Sequence, residues 1–278
     1  MMWKGMKIIM KKMNDIEIKS EMMRILKYID YIAKKNNIKY TLIGGSLIGA
    51  IRGNGIIPWD DDIDIGLMYS DYQKLMKAIE NDSNSEFRLI RFENNKSCYF
   101  PHTKLVSTRT YLVEKNLQEI DNMGVFVDIF VYFYLPYENK KRKRAFNNLI
   151  ITNKLIYSLR KPNKNEKKYA IKYIRYIICK YIIGRERLYK YLRNIYVKYD
   201  KSDYIVSSFP QYGIEREIQD SNCFNEFQTH LFEKEKIMIT KEYDKMLTKT
   251  FGNYMELPPE CDRINHQLSA YWRNNEKK

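Results

Sequence analysis

Residues 44–66 read GGSLIGAIRGNGIIPWDDDIDIG, and few folds accommodate such a run. Residues 40–43 have strand character, the Gly-Gly-Ser turn follows, and residues 47–51 continue as a short helix. Glycine lets a backbone approach a ligand closely, and a helix start offers free N–H groups to a phosphate. Gly45 is placed for the first role, and Ser46 adds a hydroxyl. Gly53-Asn54-Gly55 demands a turn. Residues 63–68 then read as a strand, so Asp62 and Asp64 at i, i+2 fall on one face. Two adjacent carboxylates repel unless a cation sits between them. Mg²⁺ is the natural cation, with Mn²⁺ as the alternative, because it takes carboxylate and phosphate oxygens together.

A third carboxylate, Asp128, lies within residues 124–132, GVFVDIFVY, the strongest strand in the sequence. An acid in so apolar a strand is costly to bury unless paired or metal-bound. If the two strands are neighbours, Asp62, Asp64 and Asp128 form a cage for one or two Mg²⁺ ions, able to clamp an in-line phosphoryl displacement. A lone DxD has a plainer reading as solvated acids, and the case rests on three coinciding features. A phosphate-loop ATPase is disfavoured because GGSLIGAIR lacks the GK[ST] ending, and no GxGxxG supports a dinucleotide site.

Around this core, residues 15–37 repeat apolar side chains at helical spacing. Residues 69–79 predict a helix with Ser70 as N-cap and Asp71 in its first turn. Residues 87–92, 99–106 and 110–113 read as strands. The overall expectation is an α/β (α+β) chain, a short mixed sheet flanked by helices.

Charge divides the chain. Residues 140–199 hold 19 of the 49 Lys and Arg but two of the 34 acids, leaving 30 bases against 32 acids elsewhere. The segment reads as basic helices broken near Lys161-Pro162-Asn163 and at Gly184. Basicity confined to one segment argues against a general nucleic-acid binder. Three readings of it stand: contact with an anionic membrane leaflet, a groove for an acidic polysaccharide, or a solvated basic face. Peripheral membrane contact is the one favoured. Cys98, Cys179, Cys223 and Cys261 share no short metal-type spacing, so free thiols and no zinc site are expected. Neither a membrane-spanning stretch nor a signal peptide is expected, which points to a cytoplasmic chain, peripheral on the inner membrane face.

GGSLIGAIRGNGIIPWDDDIDIG resembles the signature of the LicD family of nucleotidyltransferase-fold proteins. LVSTRTYLVEK, VFVDIF and the closing FGNYMELPPE resemble further family segments, with Phe251 in the place of an aromatic residue. The likeness covers most of residues 15–135 and 230–268 and does not extend to the basic segment. It implies transfer of phosphocholine, or a related group, from a CDP-linked donor to a glycan such as a lipooligosaccharide or teichoic acid. It matches Asp62 and Asp64 to a first metal-binding pair, Asp128 to a third carboxylate, and Gly45 with Ser46 to a donor-phosphate turn. Some eukaryotic relatives carry a zinc motif, which this sequence lacks.

The resemblance divides the chain into a catalytic core, residues 1–139, a basic insert, 140–200, and a closing segment, 201–278. Other residues keep two readings. Asp60 and Asp61 either orient a metal ligand or are solvated loop acids. Trp59 either walls the donor pocket or packs. Arg52 pairs with a phosphate or with Asp60. Lys104 faces the cage or the solvent, and family position favours the cage. His266 either activates the acceptor hydroxyl or is a surface histidine. Two other activities compete: transfer of a whole NMP to a small molecule or protein, and a catalytically inactive glycan- or RNA-binding protein.

Overall fold

The computed structural model describes residues 11–113, 120–263 and 268–273. Helix α1, Asp15–Lys35, begins where the Asn14 side chain accepts the Glu17 N–H and the Glu17 carboxylate accepts the Asn14 N–H. This reciprocal cap fixes the first turn. Ile18, Met22, Ile25, Leu26, Ile29 and Ile32 form its buried stripe, as the spacing requires.

Next come β1 (Thr41–Leu42), α2 (Gly44–Gly53), β2 (Asp64–Met68), α3 (Tyr69–Glu80), β3 (Phe87–Ile90), β4 (Thr103–Ser107), β5 (Thr110–Val113) and β6 (Phe126–Tyr134). The basic segment supplies α4 (Asn139–Tyr157), α5 (Tyr169–Ile177), a π-helical turn over Ile178–Ile183, and α6 (Arg185–Val197). After it come β7 (Tyr204–Ser207), α7 (Ile214–Glu217), β8 (Gln219–Asp220), β9 (Phe227–Phe232), β10 (Glu235–Thr240), α8 (Tyr243–Phe251) and β11 (Ser269–Trp272).

The expected mixed sheet is present. Its order is β1-β2-β6-β4-β3, with β7 on β6 and β8 on β7. The β2–β6 pair is parallel and the other pairs are antiparallel. β6 is its spine, pairing with β2, β4 and β7, and all its residues but Tyr134 are buried. A near-continuous apolar strand suits that central place. Its side chains feed two hydrophobic clusters. Val127 and Ile129 join α1, α3, α8 and the β9–β10 hairpin. Phe126, Val131 and Phe133 meet Leu149 and Ile156 of α4 and Leu188, Leu192 and Tyr196 of α6. Two of the basic helices thus pack directly on the sheet.

The structure moves several expected boundaries. α3 starts at Tyr69 after an extended Met68 with no side-chain cap, so Ser70 lies inside the first turn and does not cap. The expected strand 99–106 begins pairing only at Thr103, after Pro101, which has no N–H to give. The basic helices break where expected, between Tyr157 and Tyr169 and at Gly184, whose φ is +83°.

α2 and the loop after it are pinned to one another. Asn54 closes the helix in the left-handed region and its N–H reaches the Ala50 carbonyl. A Cβ on Gly49 would stand 2.4 Å from the Gly55 carbonyl oxygen, a backbone atom that cannot swing away. Gly49→Ala is therefore expected to lower stability by about 1–3 kcal/mol, read as a lower urea midpoint at unchanged slope.

Candidate active site

The site is set by strand register. Asp64 opens β2 directly opposite Asp128 on parallel β6, and Lys104 of β4 faces Asp128 from the other side. The Asp128 N–H donates to the Ile63 carbonyl at 2.8 Å, locking the strands together at this level. Asp62, Asp64 and Asp128 each offer a carboxylate oxygen, and these atoms all lie within 4.8 Å of one another. The three carboxylates converge as expected, but only Asp64 and Asp128 come from strands; Asp62 lies in the loop just before β2. Asp60, Asp61 and Asp62 form a second such group at the loop.

Burial pushes the Asp64 carboxyl well above the usual carboxylate range, and the charges of Asp62, Asp128 and Asp60 push it further; Lys104 opposes them. Lys104 is itself buried, with Nζ at 2.7 and 2.8 Å from the two Asp128 oxygens and 3.5 Å from the Phe126 ring centroid. It thus pairs with the third carboxylate, and it does not line the cavity. Beside it, the buried His102 has Nε2 3.5 Å from Asp128 Oδ1. Burial, then Lys104, holds His102 well below its ordinary pKa and so neutral. Its ring stacks on Phe100 and leans on Phe130.

The glycines of α2 make room for this cluster. Gly44 has φ +54°, and a Cβ on Gly45 would stand 2.4 Å from Asp60 Oδ2. Both glycines line a cavity of about 430 Å³ at the helix N-terminus, together with Asp60, Asp62 and Asp64. Trp59 also lines this cavity, under the Arg263 guanidinium. Ser46 is placed differently from the expected phosphate contact. It is buried, and its hydroxyl accepts the Asp64 N–H at 2.9 Å, tying α2 to β2. Arg52 also points elsewhere. Its Nη1 donates to the carbonyls of Tyr254 and Glu256, fastening the closing segment to α2. His266 lies outside the described residues.

The far wall of the cavity has no counterpart in the sequence reading. Tyr212, Glu217, Gln219, Thr250 and Phe251 line it. Tyr212 and Phe251 meet edge to face at 5.3 Å. Glu217 accepts the N–H groups of Gln211 and Tyr212, yet burial raises its pKa above the ordinary glutamate value. Only the FGNYMELPPE run, which contains Phe251, drew notice in the sequence. Glu217 carries no local pattern that would mark it.

An oxygen-only set of three aspartates fits a hard divalent cation such as Mg²⁺. A cation there would relieve the repulsion among these carboxylates.

Asp64 opens β2, Asp62 precedes it and Asp128 is the third residue of β6, so three carboxylates gather beside a glycine-opened helix on a mixed sheet. Residues 37–161 match the family described as LicD/FKTN/FKRP, nucleotidyltransferase domain. Over those residues the chain is similar to that family's domain. Lipopolysaccharide cholinephosphotransferase LicD of Haemophilus influenzae is 28% identical over 269 residues, 93% of this chain and 98% of that protein. The uncharacterized protein RP689 of Rickettsia prowazekii is 48% identical over 56 residues, 20% of this chain and 21% of that protein. Ribitol 5-phosphate transferase FKRP of Homo sapiens is 42% identical over 45 residues, 16% of this chain and 9% of that protein.

The electrostatics make a stability prediction. A carboxyl whose folded pKa is raised binds its proton more tightly in the folded state, so stability falls as pH rises above the unfolded value. Asp64→Asn removes that penalty. In the absence of divalent ions the variant is expected to melt a few degrees higher than wild type at pH 7. The difference should shrink as pH falls into the ordinary aspartate range. Adding Mg²⁺ should raise the melting temperature of wild type and leave the variant nearly unmoved; calorimetry reads both.

Proposed function

We propose that this protein transfers a phosphocholine-type group from a CDP-linked donor to a sugar hydroxyl of a cell-surface glycan. The observation that carries the reading is the convergence of Asp62, Asp64 and Asp128 beside the α2 N-terminus. The relative named lipopolysaccharide cholinephosphotransferase, similar along nearly its whole length, supplies the substrate class.

In this reading the N–H groups at the start of α2 receive the donor diphosphate, where Gly44 and Gly45 present bare backbone. Asp62, Asp64 and Asp128 would hold Mg²⁺, which when bound neutralises phosphate charge. Lys104 holds Asp128 in place and offsets its charge. The acceptor hydroxyl oxygen forms a bond to phosphorus and its proton is released to solvent, the bond from that phosphorus to the CMP oxygen breaks, and CMP leaves with the electron pair. The far wall suits the choline end. Tyr212 and Phe251 offer aromatic surface and Glu217 a partly buried acid, a setting that favours a quaternary ammonium.

The test is a panel of CDP-linked donors with and without Mg²⁺, followed by CMP release. Choline label should pass to the acceptor while cytidine label stays in CMP. Cytidine label appearing in the product would instead establish nucleotidyl transfer and end this reading. Asp62→Ala and Asp128→Asn are each expected to lower kcat by about 10²-fold or more. A further expectation separates the head group from the phosphate site. Tyr212→Ala or Phe251→Ala should raise KM for CDP-choline about tenfold, as lost cation–π contacts would. The KM for a donor bearing an uncharged head group should barely change.

A further inference from the structure

α5 and the π-helical turn after it present an apolar stripe to solvent. Ile171, Ile174, Ile178, Tyr181 and Ile182 are 63%, 59%, 40%, 68% and 67% exposed. Their spacing keeps them along one side of the helix, while Tyr176 and Cys179 turn inward and are buried. Large apolar residues exposed singly need no explanation, but a contiguous row of them does. The helix is also held in place. Glu166 accepts bonds from Arg160 and Lys172 at its start. Past its end, the Arg185 guanidinium donates to the carbonyls of Phe92, Asn95 and Cys98.

Charge identifies the partner. Residues 167–183 contain Lys167, Lys168, Lys172, Arg175 and Lys180 and no acid. Next to the stripe, Lys154, Arg160, Lys172 and Arg175 line a cavity of about 320 Å³ at the end of α4. An apolar row bordered by bases matches a surface that is apolar inside and anionic outside. Among the described residues no helix is long and apolar enough to cross a membrane, so the fit is to a bilayer surface. We propose that α5 and the turn after it dock this protein on an anionic lipid bilayer. The isoleucines and Tyr181 enter the acyl boundary, and the flanking bases meet lipid phosphates. None of the stripe residues lines the catalytic cavity, so the inference does not rest on the reaction assigned to that cavity.

Vesicle co-sedimentation of the full chain, without donor or acceptor, tests it. Wild type is expected to bind vesicles of phosphatidylcholine with phosphatidylglycerol and to bind phosphatidylcholine alone far less. Raising salt should weaken the binding, since surface charges are screened. The double variant Ile174→Glu, Ile178→Glu alters exposed side chains, so its melting temperature should match wild type. Its partitioning should fall by about tenfold or more. Failure of wild type to bind the anionic vesicles, or equal binding by the variant, overturns the proposal. So does light scattering that shows a wild-type dimer which the variant makes monomeric, because the stripe would then belong to a second copy.

Discussion

Everything in the site follows from one register: Asp64 lies directly across from Asp128 on the parallel β2–β6 pair. Like charges placed opposite one another on neighbouring strands destabilise a sheet; here Asp128 is buried and Asp64 lines the cavity. The chain offsets part of that repulsion from the next strand over. Lys104 on β4 stands across from Asp128 and reaches both of its oxygens. Among the described residues Asp64 has no ion pair of this kind, and burial followed by the neighbouring carboxylates raises its pKa. A cation between Asp64 and its neighbours would relieve that repulsion. The cavity opens at that place, with Asp60, Asp62 and Asp64 in its lining.

Holding that register requires the loop between α2 and β2 to stay put, and its restraints come from far along the chain. Ser46 fastens the start of β2. Glu233, in the turn between β9 and β10, accepts the Ile56 N–H at 2.9 Å, and its own N–H donates to the Asn54 carbonyl. Lys19 of α1 donates to the carbonyls of Ile57 and Pro58. Arg52 in turn grips the backbone beyond α8. The closing segment is thus tied to the catalytic loop in both directions. Displacing it would loosen the aspartates as well as remove Phe251 from the wall.

Asp62, Asp64 and Asp128 were readable because their pattern is local. Two acids at i, i+2 beside a glycine turn, and one acid inside a dense apolar strand, are each visible in a short window. Lys104 was readable as a candidate, but its partner was not, since only register places it across from Asp128. Ser46 was misplaced for a related reason. A hydroxyl at a helix start suits a phosphate equally well, and the short β1–α2–β2 geometry decides for the Asp64 N–H. Tyr212 and Glu217 left no trace because a cavity wall assembled from a loop and a four-residue helix has no period. Ser70 looked like a cap because it precedes an acid, yet the strand runs directly into the helix and leaves no residue free to cap.

The basic segment poses an apparent conflict, since its 19 bases and two acids share a chain with a cavity lined by Asp60, Asp62 and Asp64. Packing resolves it. α4 and α6 bury Leu149, Ile156, Leu188 and Leu192 against the sheet and leave most of their lysines and arginines toward water. Exposed charges are screened beyond roughly 8 Å at physiological salt, so that excess cannot neutralise carboxylates inside the cavity. Lys104 is buried, but it pairs with Asp128, at 2.7 Å, and does not line the cavity.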